Sequence, residues 1–277
     1  MCKMIKSTFA CPVCGKTLTY NEKSYYCKNN HCFDISKKGY VNLLLSNRMN
    51  AKNPGDNKLM VRSRMDFLNK GFYEPLLKAL GGIVCRYAKN GDVIIDAGCG
   101  EGYYTVGVKK MLRENGIKAV IAGIDISKNA LGIAAKRDCE IEFAAGSVFH
   151  LPLKDSSCDM LMTVFAPYCG MEFRRVLKKG GVMVMVIPDK RHLWQLKEAV
   201  YDNPYMNEVK DVELEGFDFA EKLCVREKIQ LECEKDIQDL FNMTPYCYNT
   251  SSKGRERLAA LGSLETETEF DILIYRR

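Results

Sequence analysis

The stretch VIIDAGCGEGYYT, residues 93–105, decides the fold of most of this chain. Its first five residues form a short apolar run, which is typical of a strand buried on both faces of a parallel sheet. Glycines follow at Gly98, Gly100 and Gly102, and the residues after them have a helical pattern. A strand, a glycine loop and a helix form a unit in which the backbone closely approaches a ligand. The stretch therefore predicts a small-molecule site at the end of a buried strand.

The spacing of the glycines indicates which ligand the loop takes. A dinucleotide loop reads G-x-G-x-x-G/A, and the third small residue would stand where this chain has Tyr103. Asp96 and Glu101 flank the loop, and carboxylates are poor neighbours for a pyrophosphate. They suit S-adenosylmethionine, which carries an ammonium and a sulfonium but no phosphate. We therefore expect Gly98 and Gly100 to contact S-adenosylmethionine.

The downstream pattern repeats the strand and helix alternation. AVIAGIDIS, at 119–127, predicts a second buried strand that ends at Asp125, whose carboxylate can accept both ribose hydroxyls. A third strand follows, then a fourth near 159–165 and a fifth within 177–188. This order predicts an α/β fold of the doubly wound, Rossmann-like class I type, with the cofactor over the carboxyl ends of the strands.

The N-terminal residues predict a metal site. Cys11, Cys14, Cys27 and His31 form a C-x2-C-x12-C-x3-H pattern, with Cys32 directly after the histidine. The first two cysteines can face one ion from a tight turn, and a hairpin would return the third. Either His31 or Cys32 would complete the set. Four protein ligands predict structural zinc, and a redox dithiol is the weaker alternative.

Composition and charge limit which partners the protein can have. The chain has 277 residues, and no apolar run approaches the roughly 18 residues that span a membrane. We expect a cytoplasmic protein with reduced thiols and no membrane partner. Residues 1–70 hold 13 Lys and Arg against 4 Asp and Glu, a local charge of +9, whereas residues 71–277 carry a local charge of −3. A basic N-terminal segment joined to a mildly acidic larger segment favours a polyanionic partner.

These patterns divide the chain into three parts. We expect a small zinc-binding, RNA-recognition domain at 1–45, a linker and helix at 46–72, and the class I methyltransferase domain at 73–277. The charged segment 200–240 has a helical pattern, and the closing residues 269–277 predict a last strand. The helix that follows the linker has four apolar residues that we expect on one side: Leu59, Met60, Met65 and Leu68.

The residues after the fourth strand limit the substrate chemistry. Enzymes that methylate exocyclic amines of bases usually carry Asn or Asp before Pro-Pro-Tyr/Phe, and this chain has Phe165 there, followed by Ala166, Pro167 and Tyr168. Methylation at C5 of a pyrimidine needs a cysteine nucleophile, typically after Pro or Thr, and Cys169 follows a tyrosine. A ring nitrogen remains the favoured target.

Several motifs in chain order resemble one family. They include CPVCGKTL, NPGDN, RSRMDFLNKGFYEPL, DAGCGEGYYT, GIDISKNAL, FAPYCGMEFRRVLKKGG, PDKRHLWQLK and NMTPY. Together they resemble the bacterial 23S rRNA (guanine-N1)-methyltransferases of the RlmA type. The resemblance implies an N-terminal zinc domain on a class I fold, methylation of guanine N1 in a hairpin loop of 23S rRNA, and a homodimer.

The resemblance also implies site residues. By matching motif positions, Tyr73, Gly100, Glu101 and His192 would touch the cofactor. The zinc ligands of the family favour His31 over the neighbouring cysteine.

Two matters stay open from the sequence. Guanine N1 carries a proton at neutral pH, and Asp56, Asp189 and Glu101 are the candidate bases. The alternatives in function are a small-molecule methyltransferase with a zinc appendage, and a non-catalytic RNA-binding protein that retains the cofactor pocket.

Overall fold

The computed structural model describes residues 5–45, 55–209 and 213–277, so the first nine residues of the linker and helix predicted at 46–72 lie outside the described residues. The strands are β1 Ile5–Ala10, β2 Thr17–Tyr20, β3 Ser24–Cys27, β4 Cys32–Asp34, β5 Val41–Asn42, β6 Val93–Ala97, β7 Val120–Asp125, β8 Glu142–Ala145, β9 Cys158–Val164, β10 Leu177–Pro188, β11 Asp218–Leu231 and β12 Leu264–Arg276. The helices are α1 Lys58–Asn69, α2 Glu74–Tyr87, α3 Tyr103–Glu114, α4 Lys128–Arg137, α5 Gly170–Val176, α6 Trp194–Val200, α7 Glu234–Asn242, α8 Tyr246–Asn249 and α9 Ser252–Ala259. None of these helices is long and apolar enough to cross a bilayer.

In the described part of the chain, the large sheet has eight strands in the order β11-β12-β10-β9-β6-β7-β8-β5. β6 lies between β7 and β9 and runs parallel to both, while β12 runs antiparallel to β10 and β11. Ile94 and Ile95 are both fully buried, but they belong to different hydrophobic cores, as expected for a strand covered on both faces. The doubly wound α/β prediction is therefore confirmed.

The N-terminal module packs against the large sheet. It forms an antiparallel sheet in the order β1-β2-β3-β4. Phe9, Leu18 and Tyr25 of this module share one buried core with Ala144 of β8 and Leu151. So short a segment cannot enclose an apolar core by itself, and here it completes its core against the larger domain.

Glu142, on β8, makes the polar contact between the two sheets. Its Oε1 accepts hydrogen bonds from the hydroxyls of Ser7 at 2.6 Å and Tyr25 at 3.2 Å, and its Oε2 accepts one from the Thr8 N–H at 3.0 Å. One carboxylate of the large sheet thus binds two strands of the small one.

The prediction of a helical segment over 200–240 is wrong for most of its length, because only α7, which begins at Glu234, is helical among the described residues from 201 to 240. Residues 218–231 form strand β11, which pairs antiparallel with β12 along its length, from Asp218 opposite Arg276 to Leu231 opposite Leu264. β11 is an edge strand whose side chains are mostly exposed, so charged residues occupy both of its faces. The predicted last strand is confirmed as part of β12.

The apolar side predicted for α1 is partly wrong. Met60 and Leu68 are buried as expected, but Leu59 is 60% exposed. The buried side instead includes Val61 and Phe67, because α1 packs against α7 and α4 at once.

Candidate cofactor and metal sites

The glycine loop after β6 needs its glycines. Gly98, Gly100 and Gly102 have φ angles of +89°, +55° and +84°, a region that other residues rarely adopt. A Cβ on Gly98 would lie 2.3 Å from the Cβ of Ala166, and one on Gly102 would lie 2.9 Å from the Cβ of Ala134. The loop is therefore held in close contact with neighbouring segments, which leaves its backbone accessible to a ligand only on the remaining side.

Asp125 lies where β7 ends and is tied to this loop. Its Oδ2 accepts a hydrogen bond from the Gly100 N–H at 2.9 Å, and its Oδ1 accepts one from the Ser127 N–H at 2.7 Å. Burial raises the pKa of Asp125, although these two N–H donors oppose the shift. A carboxylate has about four lone-pair sites, so two remain for hydroxyl donors such as those of a ribose.

Asp96 lies beneath the loop and has an unused oxygen. The side chain is 1% exposed, its Oδ2 accepts from the Thr105 hydroxyl, and its Oδ1 has no partner among the described residues. Burial raises the pKa of Asp96 to about 7, while the Thr105 hydrogen bond opposes the shift. A buried carboxylate is stabilised by an approaching positive group. The residues around the loop therefore fit S-adenosylmethionine, which brings an ammonium, a sulfonium and two ribose hydroxyls.

Tyr73 and His192, predicted from distant motifs, lie close together. Their ring centroids are 6.1 Å apart, and Phe270 of β12 packs 4.9 Å from the first and 4.6 Å from the second. The His192 Nδ1 accepts a hydrogen bond from the Glu269 N–H at 3.3 Å. Burial lowers the pKa of His192 to about 3, with a further contribution from Lys197, so the imidazole is neutral at physiological pH.

The carboxylate of Glu101 is engaged elsewhere. It is 2% exposed and accepts a hydrogen bond from the Arg137 Nε of α4 at 2.6 Å. Burial raises the pKa of Glu101, and the adjacent Arg137 opposes the shift. The structure therefore places Glu101 in the loop but binds its side chain to α4.

The other two candidate bases also have partners. Asp56 pairs with Arg64, and its backbone oxygen accepts from the Ser127 hydroxyl at 3.4 Å, which places it near the end of β7. Burial alone would raise the pKa of Asp189, but the Lys190 N–H and the Arg226 guanidinium hold it below its usual value.

The four predicted metal ligands lie together at the first turn of the N-terminal module. The ligand atoms of Cys11, Cys14, Cys27 and His31 all lie within 4.8 Å of one another. The sulfurs of Cys14 and Cys27 are 3.7 Å apart, and the His31 Nδ1 lies 3.5 Å and 3.3 Å from the sulfurs of Cys11 and Cys27. Two thiolates on one tetrahedral zinc ion lie about 3.8 Å apart, and a thiolate and an imidazole nitrogen lie about 3.5 Å apart. The geometry therefore fits one zinc ion with all four positions filled by protein.

Cys32 lies outside this cluster. It is exposed at the start of β4, whereas His31 is half-buried and points its Nδ1 at two of the sulfurs. The turn is closed by the Gly15 N–H, which donates to the Cys11 oxygen at 2.8 Å, and Gly15 has a φ of +69°.

Sequence reasoning did not select two residues that the fold brings to the loop. Arg64 of α1 donates to Asp56 and, at 3.3 Å, to the Met243 oxygen. Tyr104 is 8% exposed, and its hydroxyl has no partner among the described residues. The only sequence signal for Tyr104 was its place directly after the glycine loop.

Comparison with known proteins agrees with this arrangement. Residues 9–52 match the family described as "RlmA, N-terminal", a zinc ribbon, and residues 88–247 match the family described as "Methyltransferase domain". The fold also matches a solved S-adenosylmethionine-dependent methyltransferase from Aquifex aeolicus, at 18% identity with a TM-score of 0.41, over 50% of this chain and 76% of that one. So distant a likeness carries no argument about function.

Two relatives are closer. The chain is 34% identical to the 23S rRNA (guanine(748)-N(1))-methyltransferase of Streptomyces fradiae, over 72% of this chain and 70% of that protein. It is 31% identical to a second relative, from Micromonospora griseorubida, over 93% of both chains. This identity spans the zinc ribbon and the cofactor domain together, so the chain belongs to the family of RlmA-type 23S rRNA (guanine-N1)-methyltransferases.

Proposed function

We propose that this enzyme methylates N1 of a guanine in a hairpin loop of 23S rRNA, and that its zinc module grips the RNA. The observation that carries the proposal is the shared core of the two modules, in which the zinc-ribbon residues Phe9, Leu18 and Tyr25 pack with the sheet that carries the cofactor loop. A module held this way can present an RNA loop to the cofactor in one fixed orientation. Cys11, Cys14, Cys27 and His31 would ligate the zinc ion.

The charge of the module supports RNA as the partner. Six lysines of residues 5–45 have exposed side chains, and none is in an ion pair with another described residue: Lys6, Lys16, Lys23, Lys28, Lys37 and Lys38. The aromatic side chains contribute less. Tyr25 is buried, and Tyr20 stacks on it with 4.9 Å between ring centroids, so they support the module rather than stack on bases. Phosphate contacts by lysine fit the recognition of an RNA hairpin by shape and charge.

An aromatic side chain at the edge of the cofactor site suits a base that has been splayed out of its loop. Phe165, where β9 ends, is 45% exposed and has a φ of +55°. Its ring lies 6.4 Å from that of Tyr104 and 5.5 Å from that of Phe270. A target guanine must leave its stack to reach the methyl donor, and an exposed ring at this point offers it a new stacking partner.

The residues of the chain would hold the reactants in line. S-adenosylmethionine supplies an electrophilic methyl group. Asp125 would accept hydrogen bonds from the ribose hydroxyls, the Gly98 and Gly100 backbone would approach the methionine moiety, and Tyr73 and neutral His192 would border the cofactor. Guanine N1 would then form a bond to the methyl carbon as the bond between that carbon and sulfur breaks, the rest of the cofactor would leave as a neutral thioether, and the N1 proton would pass to a base.

Asp56 is the base candidate that best meets the geometric conditions. Asp56 is itself paired with Arg64, but its side chain is 36% exposed beside the end of β7. Glu101 is only 2% exposed and bound by Arg137, and the pKa of Asp189 is held low. Asp56→Asn should therefore reduce turnover far more than cofactor affinity. Equal losses in both would reject Asp56 as the base.

The deciding experiment is transfer of labelled methyl groups from S-adenosylmethionine to unmodified 23S rRNA, followed by nucleoside mass spectrometry. We expect 1-methylguanosine, and we expect a Cys11→Ser, Cys14→Ser double variant to lose it while the wild type retains it. Primer extension maps the product, starting from the guanine at the position named in the Streptomyces fradiae relative. Absence of label in RNA, with the cofactor still bound, would contradict the proposal.

The salt dependence of RNA binding, measured together with turnover, distinguishes the proposed function from the two alternative functions. RNA binding through lysines falls steeply with salt, with a slope of roughly −0.7 in log K per log salt for each phosphate neutralised on a single strand. A small-molecule methyltransferase would show no such slope, and a non-catalytic protein would show the slope without turnover. The homodimer that the resemblance implies stays a prediction, which sedimentation equilibrium can check.

A further inference from the structure

Residues 201–209 cross the carboxyl end of β10 and are tied to it by Asn207. The Asn207 N–H donates to the Lys190 oxygen at 3.0 Å, and the side-chain amide donates to the Asp189 oxygen at 2.8 Å. Both acceptors directly follow β10. Because β10, β9 and β6 run parallel, this segment lies at the same edge of the sheet as the cofactor loop.

A buried lysine, Lys197 of α6, holds the same segment. Its Nζ donates to the Tyr205 backbone oxygen at 3.0 Å and to the Asn207 Oδ1 at 2.6 Å, and none of the described carboxylates pairs with it. The rings of Tyr205 and Tyr246 have their centroids 4.7 Å and 5.2 Å from this nitrogen. A buried ammonium is costly unless polar groups or aromatic faces surround it. The contacts that surround Lys197 therefore fix the segment in one position.

Two tyrosine rings at this edge are exposed although their supports are packed. Tyr205 is 54% exposed, and its ring stacks on that of Tyr201 with 5.6 Å between centroids. Tyr248 of α8 is 63% exposed, and its hydroxyl accepts a hydrogen bond from the Asn57 side-chain amide at 3.2 Å. Tyr246, also in α8, joins the two supports, because its ring lies 6.1 Å from that of Tyr201. Tyr205 and Tyr248, here named the tyrosine surface, thus rest on one continuous group of side chains.

Positive charge borders the tyrosine surface. Lys58 directly follows Asn57, the partner of Tyr248. Arg255 donates to the oxygen of Cys247, which precedes Tyr248. Four exposed basic residues lie beside the supports, and none is in an ion pair with another described residue: Lys58, Lys190, Lys253 and Arg255. Exposed rings bordered by cations favour single-stranded nucleic acid, because bases stack on the rings while phosphates contact the cations.

We propose that Tyr205 and Tyr248 stack on unpaired nucleotides that flank the target guanine, and that Lys197 is a positioning residue that holds Tyr205 in place. This rests on the proposed function, because it takes RNA as the substrate. The zinc module packs against β8, the tyrosine surface lies at the end of β10, and β6 with its cofactor loop lies between these two strands. The two surfaces would therefore hold the RNA loop from opposite sides of the cofactor.

The test is filter binding of the full zinc-loaded chain to a labelled decauridylate strand and to a fully paired RNA duplex of equal length. Tyr205→Ala and Tyr248→Ala should each weaken binding of the single strand at least about fivefold and change binding of the duplex less than about twofold, because only unpaired bases stack on the rings. Tyr205→Phe and Tyr248→Phe should stay within about twofold of the wild type for both probes, since each keeps its ring. Cofactor affinity, measured by calorimetry, should change less than about twofold in all four variants.

Two further variants test the supports and the location. Lys197→Met should weaken single-strand binding about as much as Tyr205→Ala, and adding it to Tyr205→Ala should change binding by less than about twofold, because both act through one ring. Phe219→Ala is the matched control and should leave single-strand binding unchanged. Phe219 is also an exposed aromatic residue, at 43%, but it lies opposite Tyr275, away from the β12 residues that border the cofactor site.

Several results would overturn the inference. Equal losses for single strand and duplex, or losses in the Phe variants as large as in the Ala variants, would mean that the rings do not stack on bases. A loss of cofactor affinity as large as the loss of RNA affinity would make the segment a cover for the cofactor. A change of oligomeric state in Tyr205→Ala or Tyr248→Ala would make the surface an interface between copies of the chain. Unchanged RNA binding in a wild-type background that still methylates 23S rRNA would reject the tyrosine surface alone, whereas a wild type without methylation would reject the proposed function.

Discussion

We expect the Glu142 side chain to be needed to keep the zinc module docked against the large sheet, and the Glu142→Ala variant tests this. The variant removes the acceptor of three hydrogen bonds, from Ser7, Thr8 and Tyr25, at 2.6, 3.0 and 3.2 Å. A hydrogen bond to a charged acceptor contributes about 1.5–3 kcal/mol, and such contributions on one group do not add fully. Ser7 and Tyr25 are both about 5% exposed, so their hydroxyls would lose their acceptor while buried, although the Ser7 oxygen would still accept from the Phe9 N–H at 2.9 Å. We expect the free energy of unfolding to fall by about 3 kcal/mol.

The assay is urea unfolding with zinc in excess, so that loss of docking is separated from loss of metal. Glu140→Ala is the control, because Glu140 lies near the start of β8 with its side chain 78% exposed, and its one ion pair among the described residues is with Lys109. The control should change stability by less than about 0.5 kcal/mol. A Ser7→Ala, Glu142→Ala cycle should give a coupling energy of about 1 kcal/mol.

The same variant links docking to function. If the module presents the RNA, Glu142→Ala should reduce methylation of 23S rRNA while cofactor affinity stays within about twofold. The reasoning is refuted if Glu142→Ala destabilises no more than the control, or if it changes cofactor affinity as much as turnover.

Three further predictions concern the loop, the buried carboxylate and the metal. Gly98→Ala should weaken cofactor binding at least about tenfold in calorimetry. The φ of +89° at this position would strain the alanine backbone by about 1–2 kcal/mol, and the new Cβ would overlap Ala166. Unchanged binding would contradict the assignment of this loop to the cofactor. Because burial raises the pKa of Asp96 to about 7, from 3.8, the native state keeps a proton that the unfolded chain loses between pH 4 and 7. The stabilisation that comes from the proton on Asp96 is therefore present below pH 4 and is lost as the pH rises to 7. In urea unfolding at each pH without cofactor, Asp96→Asn should therefore gain stability relative to the wild type across this range. A difference between the two proteins that stays constant with pH would refute this prediction. His31→Ala should lower bound zinc below one ion per chain by elemental analysis, whereas Cys32→Ser should not, and the reverse result would exchange their roles.

Most residues of the candidate site could be predicted from short-range patterns in the sequence. The glycine loop and the C-x2-C turn could be read from the chain because each places its functional groups within a few residues, where backbone geometry alone brings them together. Asp125 followed from the end of the next strand, since parallel strands end at one edge of the sheet. The resemblance then supplied Tyr73 and His192, which no local pattern distinguishes from a core aromatic and a surface histidine.

The two failures have different physical causes. An edge strand with both faces exposed has no need for alternating polarity, so residues 218–231 carry the charge pattern of a solvated helix. Leu59 was assigned to the wrong side of α1 because two neighbouring helices, rather than one, decide which side is covered.

The sequence by itself determined the fold class, the zinc pattern and the cofactor loop, because these depend on spacing along the chain. Only the tertiary structure decided that Glu142 ties the zinc module to the sheet, that Arg64 lies over Gly100, and that Glu101 is bound by Arg137. Each of these contacts joins residues far apart in sequence. Such contacts arise only when packed helices and strands bring the side chains together, and no periodicity along the chain records that packing.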